Sequence, residues 1–135
     1  MPCEFCEIVA GEAPSETVYT DDDCIAFMDT SPWTRGHLLV VPRAHAQDLW
    51  ALTEDQAAAV MRATRRVVDR VHAGLAPEGL NLFQANGVAA FQTVFHFHMH
   101  VVPRWSDDAI RLPFLPQPGD PEAIRAAADA IRGAG

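Results

Sequence analysis

The chain has 135 residues, 49% of them hydrophobic and 21% charged, which suits a single domain with one core of its own. Its formal charge of −8 argues against a broad basic surface for long nucleic acid, so an anionic ligand would need a local pocket of donors. The opening MPCEFCEIVAGE lacks the basic start and apolar centre of a secretory signal, and no stretch approaches the ~20 apolar residues of a membrane helix. The expectation is a cytoplasmic protein with no membrane partner.

Cys3, Cys6 and Cys24 are too few, and odd in number, for a disulfide framework, so Cys3-X-X-Cys6 raises the question of a metal. A short helix is expected within residues 1–11, after that motif. Residues 16–20 and 24–28 are rich in strand formers and flank Asp21-Asp22-Asp23, which reads as a solvated hairpin turn. Past the breaker Ser31-Pro32, Gly36 to Pro42 is a near-continuous apolar run, a buried strand that proline ends.

Thr53 and Gln56 form a capping box, and Val60, Met61, Thr64, Val67, Val68, Val71 and Leu75 recur at helical spacing, giving one long helix that ends near Gly74. Leu80 to Gln84 is a further strand, Asn86-Gly87 opens a loop, and Val94 to Val102 alternates as the next strand until Pro103. Asp120-Pro121 caps and opens a C-terminal helix through Ile131. Strands before and after one long helix argue for α+β: roughly five antiparallel strands covered by helix.

The chemistry concentrates in Phe95-His96-Phe97-His98-Met99-His100-Val101-Val102. Alternation places His96, His98 and His100 on one face of a strand and Phe97, Met99 and Val101 on the other. Three adjacent imidazoles repel as cations, so some stay neutral near pH 7 and act as nucleophile, base or metal ligand. Two mechanisms fit: attack on phosphorus by one imidazole with its neighbours donating, or a three-histidine metal site.

His-X-His-X-His followed by two hydrophobic residues resembles the signature of the histidine triad nucleotide hydrolases and transferases. The likeness continues through Cys3-Glu4-Phe5-Cys6, Asp22 to Pro32, Gly36 to Pro42 and Asn86-Gly87, covering most of residues 3–104 and leaving 105–135 as a tail with a helix. The resemblance implies one triad domain over 1–135 and a homodimer. It also implies that His98 attacks the α-phosphorus to form a nucleotidyl-histidine that water then hydrolyses. His100 would hold a phosphate oxygen, Gln92 and Asn86 would add neutral donors, and Thr93 would pass a proton to the leaving group. Asp29 matches the position that binds ribose hydroxyls, or else caps its turn. Ile25 and Phe27 belong to the strand that walls the base, and His37 supports the triad.

The same resemblance completes Cys3-X-X-Cys6 with His45 and His96 as a closed structural zinc site; free thiols are the alternative. Cys3, Cys6, His45 and Asp29 are similar to the Hint branch, Gln92-Thr93-Val94 and Pro103-Arg104 to the Fhit branch. The implied substrates are purine nucleoside phosphoramidates, dinucleoside polyphosphates or related adenylated compounds, with no metal needed for chemistry. The runner-up is a nucleotide-binding regulatory or scaffolding protein of low turnover. Trp33, Trp50 and Trp105 receive no role.

Overall fold

The computed structural model describes residues 2–135, so Met1, counted above with the first helix, lies outside the described residues. Its elements are α1 (Glu4–Val9), β1 (Thr17–Thr20), β2 (Cys24–Met28), β3 (Leu38–Pro42), α2 (Glu54–Leu75), β4 (Gly79–Phe83), β5 (Met99–Arg104) and α3 (Pro121–Gly133). All strand pairs are antiparallel, in the order β1-β2-β3-β5-β4, the α+β arrangement expected.

The β1–β2 hairpin is held by Asp21, which is more than the solvated residue its run suggested. One carboxylate oxygen accepts from the backbone N–H of Asp23 (2.8 Å) and Cys24 (2.7 Å), and the other from the Tyr19 hydroxyl (2.7 Å). Such an Asx turn fixes the reversal without glycine.

α2 begins with the expected capping box: Thr53 Oγ1 accepts from Gln56 N–H (3.1 Å), and Gln56 Oε1 accepts from Thr53 N–H (2.9 Å). Val60, Ala63, Thr64, Val67 and Val71 are its buried stripe, packed on Cys24, Ala26, Leu38, Val40, Phe97 and Val101. Met61, read as part of that stripe, is half-exposed, because it lies one row around the helix from Val60 and Thr64. A fully buried valine contributes about 1.5–3 kcal/mol relative to an exposed one, so Val60, Val67 and Val71 each add to the fold's stability.

The opposite face carries Ile25, Phe27, Leu39 and Val41, closed by Phe5 of α1. Because α1 is short, it covers only part of that face and leaves a cleft beside it.

The triad segment departs from expectation at its start. β5 begins at Met99, not Val94: pairing with β3 ends at Val40↔Met99, and residues 94–96 form a bend. Ahead of the ladder, Phe97 N–H donates to the Ala46 carbonyl instead (2.7 Å). The alternation of faces persists through 97–101 although the ladder covers only its second half. Gly36 adopts φ +87° before β3, where a Cβ would collide with Leu75 at the end of α2 and lie 3.2 Å from Pro103 Cγ.

α3 runs to Gly133, slightly past the expected Ile131, with Asp120 accepting from Glu122 N–H and Pro121 in the first turn. It has no buried residue, and Leu112, Phe114 and Leu115 before it are exposed. No helix among the described residues is long and apolar enough to cross a membrane.

Candidate active site

His96 sits at the bend and is fully buried. Its Nε2–H donates to the Pro42 carbonyl (2.8 Å), which leaves the lone pair on Nδ1. That nitrogen lies 3.4 Å from Cys3 Sγ and 3.5 Å from Cys6 Sγ, and His45 Nδ1 lies 3.4 Å from Cys6 Sγ. The four ligand atoms fall within 4.8 Å of one another. With bonds of ~2.3 Å to sulfur and ~2.0 Å to nitrogen, a tetrahedral zinc has S···N edges of about 3.5 Å, so the donor set fits that ion in type and spacing. Burial, together with Cys3 beside it, pushes the Cys6 thiol up, a situation a bound cation reverses.

His98 uses its Nδ1–H on the carbonyl of His96 (2.8 Å), so its lone pair is on Nε2. Every fully buried side-chain nitrogen or oxygen among the described residues has a partner, whereas His98 Nε2 has none; it therefore reaches the cleft, which His98 lines. Burial pushes His98 below the ordinary imidazole range, opposed by the His96 carbonyl and Asp29.

His100 carries the opposite tautomer. Trp33 N–H donates to His37 Nδ1 (3.0 Å), so His37 bears its proton on Nε2 and donates it to His100 Nδ1 (2.8 Å). The proton of His100 is thereby on Nε2, beside the His98 ring at a centroid distance of 4.9 Å. Burial first, then His98 and His37, push His100 down to about 4, against the pull of Asp29. Burial likewise lowers His37, which is completely enclosed. The site thus offers an unprotonated nitrogen next to an N–H donor, both neutral at pH 7.

The cleft holds about 470 Å³ and is lined by Phe27, Asp29, Gln92, Thr93, His98 and His100 among the residues singled out from sequence. Asp29 does two things: Oδ1 accepts from Ser31 N–H (2.7 Å) and caps the turn, while Oδ2 faces His37 Nε2 at 3.5 Å. Thr93 is exposed at the rim.

Other residues fall elsewhere. Ile25 lies in the apolar cluster beneath α1, off the cleft wall, since β2 shifts its side chain two places along from Phe27. Asn86 does not line the cleft: its Oδ1 accepts from Leu49 N–H (2.7 Å), and its amide pairs with the Gln84 amide. Gln92 lines the cleft, yet both amide hydrogens go to the Gln47 and Val94 carbonyls and its oxygen accepts from Gly87 N–H. The donors expected from Gln92 are therefore committed to holding loops, and Asn86 spends one amide hydrogen on Gln84. His37 stands behind His100, and His96 behind His98.

Sequence reasoning missed Trp33, Phe83 and Phe91, all of which line the cleft. Phe83 could be found by pairing the two strands, because it lies directly across from His100. Trp33 and Phe91 sit in loops that carry no periodicity.

An antiparallel sheet presenting three neighbouring imidazoles, with a Cys/His cluster behind the first, defines a histidine triad domain. The HIT domain family model matches residues 10–107, and the chain belongs to that family. It is 40% identical over 103 residues to Protein hit of Bacillus subtilis, covering 76% of this chain and 71% of the relative. It is 32% identical over 115 residues to an Arabidopsis thaliana protein named adenylylsulfatase HINT3, covering 81% of this chain and 58% of that one. A HIT family protein from Bacillus anthracis superposes with a TM-score of 0.90 at 34% identity, covering 98% of this chain and 96% of the other. A zinc-bound histidine triad family protein from Mycobacterium smegmatis does so with a TM-score of 0.77 at 37% identity, covering 98% and 97%.

Proposed function

We propose that this chain is a nucleotidyl hydrolase or transferase that cleaves purine nucleotides at the α-phosphate through a nucleotidyl-His98 intermediate. The observation that carries this reading is the pair of opposed tautomers: a lone pair on His98 Nε2 beside a proton on His100 Nε2.

In the first step His98 Nε2 bonds to the α-phosphorus and the bond to the leaving group breaks. The imidazole becomes cationic while its Nδ1–H stays on the His96 carbonyl, which stabilises that charge. His100 Nε2–H donates to a nonbridging oxygen whose negative charge grows in the transition state. The Thr93 hydroxyl, exposed at the rim, relays a proton to the departing amine or phosphate, taking one from solvent water as it gives its own. In the second step water bonds to phosphorus, its proton leaves to solvent, and His98 departs neutral. Asp29 Oδ2 accepts from the ribose diol, and Phe27 and Leu39 with Ile8 wall the base.

Cys3, Cys6, His45 and His96 would hold a structural zinc, which would tie α1 to the sheet and fix His96, whose carbonyl orients His98. The name of the plant relative, an adenylylsulfatase, supports adenylated substrates. The zinc-bound mycobacterial structure supports the metal. A homodimer in the cytoplasm belongs to the same reading, with β4 as the edge that a second copy extends.

The test is AMP release from adenosine 5′-phosphoramidate by chelated, still folded protein, paired with His98→Ala. Activity in the first and none in the second is expected. Folded wild type that loses activity on chelation would make the metal catalytic, and wild type inert throughout would favour a binding protein.

A further inference from the structure

The chemistry above leaves an aromatic group at the cleft without a task. Cross-strand register aligns Phe27 on β2, Leu39 on β3, His100 on β5 and Phe83 on β4 in one row on the cleft face. His100 divides this floor. Toward β2 lies the section of Phe27 and Leu39 that Phe5 and Ile8 of α1 close; toward β4 lies Phe83 with Trp33.

Trp33 lies over His100, with centroids 5.0 Å apart and planes 14° apart, and meets Phe83 edge-on at 5.5 Å. The indole also packs against the His37 ring, with centroids 4.6 Å apart. Trp33 remains 48% and Phe83 43% exposed, so the aromatic surface on this side of the triad is unfinished. Phe91, also on the cleft lining, is 83% exposed and held at φ 70°. A bulky side chain resists that backbone region, and here the Gln92 bonds to Gly87, Gln47 and Val94 fix the loop around it.

A substrate cut at its α-phosphate has two organic arms. The nucleoside occupies the β2 section, where Asp29 and the apolar wall suit it, so the other arm leaves across the β4 section. We infer that Trp33 and Phe83 form a leaving-group subsite that selects substrates whose departing arm carries a planar aromatic ring. The ligand chemistry is a flat π-system of either origin, an aromatic amine or a second nucleobase, stacked on the free surface of Trp33. This inference rests on the nucleotidyl-transfer reading and extends it to the half of the substrate that departs.

The experiment measures kcat/KM for three substrates: unsubstituted adenosine 5′-phosphoramidate, its tryptamine amide and a diadenosine polyphosphate. Wild type, Trp33→Leu and Phe83→Leu are compared through the ratio of aromatic to unsubstituted substrate. The ratio should exceed one in wild type and fall about tenfold in Trp33→Leu, in keeping with the loss of one ring stack, with a smaller fall in Phe83→Leu. A fall for both aromatic substrates means that the subsite takes any planar arm; a fall for the dinucleotide alone narrows it to a nucleobase.

Equal losses on all three substrates would mean that Trp33 only supports His100, and that overturns the subsite. So would a ratio that does not change. If Trp33→Leu does not fold, Phe83→Leu and Trp33→Phe carry the comparison, with Trp33→Phe expected to keep most of the preference. Wild type inert toward all three would overturn the nucleotidyl-transfer reading itself, a result distinct from an unchanged ratio in an active enzyme.

Discussion

His98 and His100 are the same side chain two residues apart, yet their neighbours give them opposite protons. A backbone carbonyl takes the Nδ1–H of one, and a relay from Trp33 N–H through His37 supplies Nδ1 of the other. Each then shows the cleft what the chemistry needs. Protonation of either ring would remove this arrangement, and burial resists it: His100 is pushed down to about 4 and His98 moves in the same direction. Profiles of kcat/KM against pH should therefore place the acid limb below the ~6.5 of an unperturbed imidazole. An acid limb at or above that value would contradict the burial argument. The same depression means that the unfolded chain binds more protons, so the associated stability is present above about 6.5 and is lost as the pH falls toward 4.

The sequence carried the identity of these histidines but not their tautomers, which depend on a carbonyl and a loop N–H. Gln92 shows the opposite limit. An amide near a triad reads as a donor to substrate, and only three-dimensional partners reveal that its hydrogens are already engaged.

At the scale of elements, α2 was legible because its start has a chemical marker and its stripe a period, while the side of Met61 was lost to a rotation of one residue. β5 was legible in its alternation and not in its length, since the chain bends at 94–96 to bring His96 to the cysteines. β4 is an edge strand, and its unpaired backbone groups form a surface that proteins usually cover. Leu82, on the α2 side opposite Val101, is 40% exposed on that edge. Sedimentation equilibrium at micromolar concentration should give twice the chain mass, and Leu82→Lys should shift the population toward one chain. Wild type sedimenting as a single chain would remove the dimer from the proposed function.

Across the whole molecule, two sites share one residue. The His96 ring belongs to the Cys/His cluster and its carbonyl belongs to His98, so the first triad histidine joins the chain start to the reaction centre. Under the proposed function, a chain of net charge −8 takes an anionic substrate through donors that are local and set by backbone geometry, not by net charge. The sheet and the cluster were legible because each leaves a pattern of spacing. The tail past Arg104 was not: Asp108 ties its first residues to Arg104, but Leu112, Phe114, Leu115 and α3 are exposed, so no buried pattern marks them.

The central claim is a covalent bond at His98, and the direct measurement is the intact mass of the protein quenched in base during turnover of adenosine 5′-phosphoramidate. One adenylyl group on wild type, mapped to His98 and missing from His98→Ala, is the predicted result. Steady turnover retained by His98→Ala, or an adduct mapped to another residue, would contradict it.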